Sequence, residues 1–283
     1  MKEKYCDLHV HSIYSDGTYT PEEILCAAEA AGLSAVALCD HNTVDGVEHF
    51  RRAAEGKRVE AILGAEFSVD YEGDELHLLG LYLPDTAIPI LNERMVEVQR
   101  LKDESNVDLI DRLGRAGYEI SYEEIKSRTP GGKFNRAHIA LALTEKGYTP
   151  SIKDAFRTVL SPDAGYYRAP ERIPIFEMLD LLTELNVVPV LAHPLFTLSP
   201  ERLAAFLPQA KKHGLVGMEC YYVSYSPRSM ALSLGLADTN RLLYSGGSDF
   251  HGATKPDVKL GVGRGNLQIP YRWAEALREA QKR

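Results

Sequence analysis

The sequence has few cysteines, and they are scattered. Cys6, Cys26, Cys39 and Cys220 are the four cysteines among 283 residues, and no two of them form a Cys-x-x-Cys pair. Thiolate zinc sites and disulfide frameworks both need clustered or paired cysteines. The pattern therefore argues against a zinc finger and against a disulfide-stapled secreted domain. We expect these cysteines to act as small buried apolar residues.

Long apolar runs and an excess of positive charge are also absent. No uninterrupted apolar run approaches the roughly 18 residues typical of a membrane-spanning helix, and the segment Met1-Lys2-Glu3-Lys4 is not an apolar signal region. We therefore expect a cytoplasmic protein with no membrane partner. The formal net charge of -8 argues against binding of long nucleic acid through a broad basic face. A small anionic substrate remains compatible with this charge if positive groups are concentrated locally.

The length and the order of elements predict a single large α/β fold with an insertion. Closed α/β barrels reach about 250 residues as one domain. Strand and helix patterns alternate in residues 1–84 and again in residues 171–283, which predicts parallel strands with helices outside. Residues 85–170 have helical periodicity instead and are predicted to form a helical insertion or cap. A last strand is expected near Lys259 to Val262.

Histidines and carboxylates stand at or near the ends of the predicted strands. In the stretch Asp7-Leu8-His9-Val10-His11-Ser12, the two histidines would share one strand face, because side chains there repeat every two residues. Two such imidazoles suit one metal ion. Active sites of α/β barrels form at the carboxyl ends of the strands, so we expect these groups to converge. The candidates beyond the first strand are Asp40, His41, Glu66, His77, His193, Glu219, Asp249 and His251.

The number of candidate ligands predicts more than one metal ion. Imidazole nitrogens with carboxylate oxygens suit manganese, zinc or iron. One ion needs three or four protein ligands, and this chain offers about eight to ten. Paired ions typically activate a water molecule for attack on a phosphoryl or acyl centre.

Four short motifs, taken in order, resemble the PHP (polymerase and histidinol phosphatase) metallohydrolases. They are Asp7-Leu8-His9-Val10-His11-Ser12, Cys39-Asp40-His41, Ala192-His193-Pro194 and Ser248-Asp249-Phe250-His251. The resemblance implies a distorted (β/α)7 TIM-like barrel, the PHP fold, with a helical insertion. It also implies two to three divalent metal ions.

The resemblance further implies how the ligands are shared. The first ion would be held by His9, His11, Glu66 and Asp249, the second by Glu66, His77 and His193, and the third by Asp16, His41 and His251. Some family members have histidine where this chain has Asp16. Because ligating histidines usually donate their other N–H to a carboxylate, Asp40 is predicted to orient His41 without binding metal. Glu219 is assigned a similar supporting role, although a substrate contact or direct ligation would fit it too.

The helical insertion and the segment Asn135-Arg136-Ala137-His138 resemble the PHP subgroup that acts on nucleotide phosphates. Arg136 offers a fork of donors to phosphate oxygens. His138 could bind phosphate or protonate the leaving oxygen, and Asp249 is expected to take part in catalysis as well as in metal binding. Tyr167 and Tyr221 are candidate substrate contacts through stacking, with packing against the barrel as the alternative. Lys255 is interpreted as a solvated surface charge.

We therefore predict a metal-dependent phosphoesterase, a hydrolase of phosphoric ester bonds, that acts on a small, nucleotide-sized substrate. The 3′-phosphate of nucleoside 3′,5′-bisphosphates is the first choice, with cyclic phosphates and short RNA 5′ ends as related options. A histidinol-phosphate phosphatase is the alternative enzyme, and it would need acidic groups near the mouth in place of arginine and aromatic residues. A non-catalytic metal-binding module is the alternative of another class.

Overall fold

The computed structural model describes residues 3–127 and 136–282. Its strands are β1 (Tyr5–Val10), β2 (Ala35–Leu38), β3 (Glu60–Tyr71), β4 (Asp74–Leu81), β5 (Ile173–Pro174), β6 (Val188–Ala192), β7 (Gly217–Tyr222), β8 (Leu243–Gly247) and β9 (Ile269–Pro270). Its α-helices are α1 (Pro21–Ala30), α2 (Val47–Ala53), α3 (Ala87–Arg115), α4 (Tyr122–Ser127), α5 (Arg136–Glu145), α6 (Ile152–Arg157), α7 (Ile175–Glu184), α8 (Pro200–Lys212), α9 (Pro227–Asn240) and α10 (Tyr271–Gln281).

The sheet curls into a nearly closed barrel. Its order is β8, β7, β6, β4, β3, β2, β1, β9, and β5 pairs with β3 off this path. Strands β1 to β3 run parallel, as do β6 to β8, whereas β4 is antiparallel to both of its neighbours. The two ends of the sheet meet where the His11 N–H donates to the Phe250 carbonyl and the Asp249 N–H donates to the His9 carbonyl, both at 2.9 Å. The predicted distorted α/β barrel is confirmed.

Local sequence signals explain the elements that follow β1. Thr20 and Glu23 form a capping box: the Glu23 N–H donates to the Thr20 hydroxyl at 3.2 Å, and the Thr20 N–H donates to the Glu23 carboxylate at 2.8 Å. Pro21 occupies the first helical position, where its missing N–H costs nothing. Every residue of β2 is buried, as expected for a parallel strand covered on both faces. These elements bring the end of β2 beside the end of β1.

The prediction of a last strand near Lys259 to Val262 is wrong. This segment forms turns, with a single bridge between Lys259 and Gly263. Gly261, Gly263 and Gly265 all have positive φ, which an extended strand does not allow. The chain returns to the sheet only at β9, which pairs antiparallel with β1.

The helices between β4 and β5 have a core of their own. Leu109 and Leu113 of α3 pack with Ile139 and Leu143 of α5 in a cluster separate from the barrel core, whereas the first half of α3 packs on the barrel. The domain division at residues 85 and 170 stays a prediction, and Asn135 lies outside the described residues. Among the described helices, none combines the length and the apolar character needed to cross a membrane.

Candidate metal centre and substrate cavity

A single buried carboxylate, Glu66 of β3, stands at the centre of the barrel mouth. Its Oε2 atom lies 2.9 Å from His41 Nδ1 and 3.3 Å from His9 Nε2. Its Oε1 atom lies 2.9 Å from His77 Nδ1 and 3.2 Å from His193 Nε2. Four segments that are distant in sequence thus place imidazoles around one side chain.

The candidate ligands form four overlapping groups whose ligand atoms lie within 4.8 Å of one another. The groups are His11, Asp16, His41 and His251; His9, Glu66 and His193; His9, His11 and Asp249; and His41, Glu66 and His77. All nine residues predicted as metal ligands therefore lie together. The grouping differs from the predicted one at His9 and His11, which each join two groups, and at His41, which lies near both Glu66 and Asp16.

The chemistry of these side chains fits divalent cations. The Nε2 atoms of His9 and His11 face each other at 3.0 Å, although each would ordinarily need a separate partner. His11 Nδ1 is buried without a hydrogen-bond partner among the described residues. Glu66 Oε2 is also buried without one, because the ring nitrogens of His41 and His9, although close, are not aligned for a hydrogen bond. Buried polar atoms left in this way are costly, and a cation would accept their lone pairs. We conclude that the residues present fit a metal centre.

Hydrogen bonds from the outer ring nitrogens orient two of the histidines. The Nδ1 atom of His9 lies 3.1 Å from Glu219 Oε1, and the Nδ1 atom of His251 lies 2.8 Å from the Asp249 carbonyl oxygen. Each acceptor requires a proton on Nδ1, so the Nε2 lone pair of a neutral ring points into the cluster. His251 Nε2 then lies 3.3 Å from Asp16 Oδ1.

The charges in the cluster depend strongly on one another. Burial alone would raise the pKa of Glu66, but the surrounding histidines, His41 first, hold that pKa well below its usual value. Burial opposes protonation of His9, yet Glu66 and Glu219 raise the pKa of His9 well above its usual value. Burial, reinforced by neighbouring histidines, lowers the pKa of His11 well below its usual value. The carboxylates thus favour positive charge on His9, whereas burial and the neighbouring rings disfavour it on His11.

Two further carboxylates support the cluster without facing its centre. Glu219 Oε2 accepts from the His193 backbone N–H at 2.7 Å, so this side chain holds His9 and His193 in one arrangement. Asp40 was predicted to orient His41, and the structure places it elsewhere. It accepts from the Ser12 N–H at 2.8 Å and from the Ser15 hydroxyl at 2.6 Å. Asp40 therefore fixes the loop that leads to Asp16.

Asp7 is a supporting residue that the sequence reasoning did not single out. Its Oδ1 atom accepts from the Ser248 N–H at 2.9 Å, and its Oδ2 atom accepts from the Ser248 hydroxyl at 2.5 Å and from the Gly261 N–H at 2.7 Å. Asp7 precedes His9 by two residues, so strand alternation was the available signal that both side chains share a face. Asp7 thus ties β1 to the segment that carries Asp249.

A cavity of about 490 Å³ leads from the surface to the cluster. Metal-ligand candidates form its floor, and residues of α3, α5 and the segment before β5 form much of its wall. The basic and aromatic lining residues include Lys102, Arg136, Phe156, Tyr167, Arg172 and Lys255. Four basic side chains are therefore gathered around a cavity that also contains five carboxylates: Asp16, Glu66, Glu75, Glu171 and Asp249.

Arg136 lines this cavity in contact with Tyr167. The guanidinium carbon of Arg136 lies 4.0 Å from the centroid of the Tyr167 ring, a stacked arrangement that stabilises the cation. One face of the Tyr167 ring is therefore covered by Arg136. Tyr167 also lines the cavity, and its stacking on substrate stays a prediction.

Tyr221 does not line the cavity, contrary to the contact predicted for it. Its ring packs 4.9 Å from that of Trp273, whereas Tyr222 lines the cavity and donates its hydroxyl to Asp249 Oδ2 at 2.9 Å. The reason is an irregularity in β7 between Glu219 and Tyr221, which shifts the alternation of side chains by one residue.

Two other predicted positions also differ from expectation. His138 is half-buried and is absent from the cavity lining, and burial lowers its pKa. Asp16 opposes this shift, and the role of His138 as general acid stays a prediction. Lys255 was interpreted as a surface charge, but its Nζ atom lies 2.7 Å from Asp249 Oδ2 at the cavity wall.

The family model of the PHP domain matches residues 7–184, more than half of the chain. The protein belongs to the PHP domain family. It is accordingly a metal-dependent hydrolase that acts on phosphoester bonds.

Curated relatives of similar length have different named activities. The chain is 29% identical over 252 residues to the 5′-3′ exoribonuclease of Haemophilus influenzae, covering 89% of this chain and 91% of the relative. It is 29% identical to the phosphoribosyl 1,2-cyclic phosphate 1,2-diphosphodiesterase of Eggerthella lenta, covering 87% and 94%. It is 26% identical to the 3′,5′-nucleoside bisphosphate phosphatase of Chromobacterium violaceum, covering 87% and 86%.

A solved structure supports the fold. The amidohydrolase from Chromobacterium violaceum, which contains sulfate and no metal, superimposes with a TM-score of 0.85 and 26% identity. The superposition covers 98% of this chain and 96% of the other.

Proposed function

We propose that this protein hydrolyses the 3′-phosphate of nucleoside 3′,5′-bisphosphates. The observation that carries the proposal is the basic wall of the cavity, where Lys102, Arg136 and Arg172 face the route to the cluster. A substrate with one phosphate at the cluster and a second phosphate near these side chains would use both regions. The bisphosphate phosphatase of Chromobacterium violaceum is a relative over most of its length, which supports the choice.

The proposal includes two to three divalent ions of manganese, zinc or iron, held by the nine clustered residues. This set of nitrogen and oxygen ligands suits those metals. When bound, the ions would lower the pKa of a water molecule and neutralise charge on the phosphate oxygens.

The side chains of the protein would have distinct tasks. Arg136 would donate two N–H groups to phosphate oxygens and so orient the substrate. Asp249 is held by Tyr222 and Lys255 through Oδ2, which leaves Oδ1 facing His11 Nε2 at 3.3 Å. The Lys255 ammonium, beside Asp249, would add positive charge where charge develops on the phosphate.

The 5′ end of a short RNA is a second candidate substrate. Its first nucleotide carries a 5′-phosphate and a 3′-phosphodiester, so it presents the same two anionic groups as a nucleoside 3′,5′-bisphosphate. Hydrolysis of the bond between O3′ and phosphorus releases inorganic phosphate from the bisphosphate and a nucleoside 5′-phosphate from the RNA. The exoribonuclease of Haemophilus influenzae, at 29% identity, favours this extension.

Histidinol phosphate fits the cavity less well. Its amino group is positively charged at neutral pH. The cavity wall carries three basic side chains, Lys102, Arg136 and Arg172, against two acidic ones, Glu75 and Glu171, and Glu75 already pairs with both arginines. Like charges in a partly enclosed site repel, so this substrate would bind weakly.

A substrate comparison tests the proposal. Protein supplied with Mn²⁺ would be assayed with adenosine 3′,5′-bisphosphate, a 5′-phosphorylated RNA pentamer and histidinol phosphate, and the products separated by chromatography. We expect adenosine 5′-phosphate and inorganic phosphate from the bisphosphate. Turnover of histidinol phosphate alone, or release of adenosine 3′-phosphate, would refute the assignment.

A matched pair of histidine variants tests the non-catalytic alternative. His11→Ala removes a clustered ligand, whereas His213→Ala removes a half-buried histidine outside the cluster that pairs with Asp180. We expect both variants to keep the circular dichroism spectrum of the wild type and only His11→Ala to lose activity. Equal activity in the two variants would exclude this cluster as the active site.

A further inference from the structure

Glu75 joins the metal cluster to two arginines. Its Oε2 atom accepts from Arg172 Nη2 at 2.7 Å and from Arg136 Nη2 at 3.3 Å. Its Oε1 atom lies 3.5 Å from His77 Nε2, and the other ring nitrogen of His77 faces Glu66. One carboxylate therefore holds two guanidinium groups from different segments at the same wall.

The sequence brings these groups together from three places. Glu75 lies two residues before His77 on β4, so both side chains share a face of that strand. Arg136 begins α5, and Arg172 immediately precedes β5, which pairs with β3 beside the same hairpin. The Arg172 side chain is only 9% exposed, which fixes it more firmly than a surface arginine.

The pair retains donor capacity beyond Glu75. Each guanidinium carries five N–H donors in a planar fork, and Glu75 accepts one from Arg136 and one from Arg172. Both arginines line the cavity, as does Lys102. Three positive charges stand against two carboxylates, Glu75 and Glu171, so this wall keeps an excess of one positive charge and suits an anion.

The spacing between this wall and the cluster is set by His77. The imidazole ring of His77 and the carboxylate of Glu75 separate the two arginines from Glu66. A substrate that uses both regions must therefore carry its two anionic groups on different parts of its frame, as a nucleoside 3′,5′-bisphosphate does.

We propose that Arg172 and Arg136 together bind the phosphate that is not hydrolysed, and that Arg172 determines the preference for a bisphosphate over a monophosphate. Glu75 is the positioning residue that holds both forks. This inference rests on the proposed function and names a specificity determinant within it.

Substitution of Arg172 tests the proposal against a matched arginine. Arg172→Met removes the fork, and Arg172→Lys keeps the charge but not the paired donors. Arg202→Met is the control, because Arg202 pairs with Glu72 and Asp74 at the exposed turn of the same hairpin. The kcat/KM would be measured for adenosine 3′,5′-bisphosphate and for adenosine 3′-phosphate at saturating Mn²⁺.

We expect Arg172→Met to lower kcat/KM for the bisphosphate by about 10- to 100-fold, the scale of lost charged hydrogen bonds. The value for adenosine 3′-phosphate should change less than about twofold, and Arg172→Lys should recover part of the loss. An equal loss with both substrates would show that Arg172 only supports Glu75 and His77, and no loss with either would also refute the proposal.

A binding measurement separates this proposal from the proposed function. Adenosine 5′-phosphate carries the phosphate that would remain after hydrolysis, and adenosine lacks it. Calorimetry would measure the affinity of both ligands for the wild type and for Arg172→Met. We expect Arg172→Met to bind adenosine 5′-phosphate more weakly than the wild type does and to bind adenosine equally well. That result without turnover of any nucleotide would refute the proposed function but support the phosphate subsite, whereas unchanged binding would refute the subsite.

Discussion

Replacing Glu219 by glutamine should weaken metal binding through a change of tautomer at His9. Glu219 accepts from two donors, the His9 ring at 3.1 Å and the His193 backbone N–H at 2.7 Å. The backbone group offers only a donor, so the glutamine oxygen must stay with His193. The glutamine NH₂ group then faces His9 Nδ1, which must lose its proton, and the ring proton moves to Nε2.

A proton on Nε2 removes the lone pair that faces the cluster. Loss of such a supporting carboxylate typically costs about 10- to 100-fold in metal affinity, which corresponds to about 1.4 to 2.8 kcal/mol. The assay is titration of metal-free protein with Mn²⁺ in competition with a chelator. Glu219 is fully buried, so circular dichroism must accompany each titration.

The control for this substitution is Glu184→Gln, which removes the same charge from an exposed position at the end of α7. It should bind Mn²⁺ like the wild type. If Glu219→Gln is folded and also binds Mn²⁺ like the wild type, then the hydrogen bond does not set the His9 tautomer and the reasoning fails.

Two further predictions concern stability. Gly247→Ala should lower the midpoint of thermal unfolding, because the new Cβ would lie 2.1 Å from the His9 Cβ and overpacking costs about 1 to 3 kcal/mol. Gly235→Ala in α9 should instead raise the free energy of unfolding by about 0.5 to 1 kcal/mol, because the new Cβ would meet nothing within 4 Å outside its own stretch of helix. The reverse order of the two midpoints would contradict the packing. Metal-free protein should lose stability with rising pH. Burial opposes protonation of His77, but Glu66 raises the pKa of His77 to about 10 in the folded protein. The stabilisation from protonated His77 is therefore complete below the unfolded pKa of about 6.5 and is lost as the pH rises toward 10. Urea unfolding should show the free energy of unfolding falling across this pH range, and the fall should be smaller in His77→Gln. An equal fall in both proteins would assign it to other groups.

The location of the cluster could be predicted from the sequence because strand geometry determines it. His9 and His11 share a face of β1, and the ends of parallel strands meet at one mouth, so short motifs far apart in sequence could be assigned to one place. The position of Glu66 at the mouth could be predicted in the same way, although Glu66 lies within β3, which continues five residues further to Tyr71.

Other features depended on details that composition and periodicity do not contain. Regular alternation from Glu219 places Tyr221 in the cavity, and only the irregularity in β7 exchanges it for Tyr222. The contact between Lys255 and Asp249 depends on the turn formed after β8, which local propensity does not specify. Glu75 acquires its role only when Arg136 and Arg172 approach it from 61 and 97 residues away.

The hydrogen bonds of Asp7 also constrain when the site can form during synthesis. Its partners Ser248 and Gly261 follow it by 241 and 254 residues. A ribosome adding about 5 to 20 residues per second exposes His9 and His11 for a time on the order of tens of seconds before those partners emerge. The first ligands made are therefore among the last to be fixed in place, and a chain that stops before β8 keeps its opening motif but has no closed mouth in which to use it.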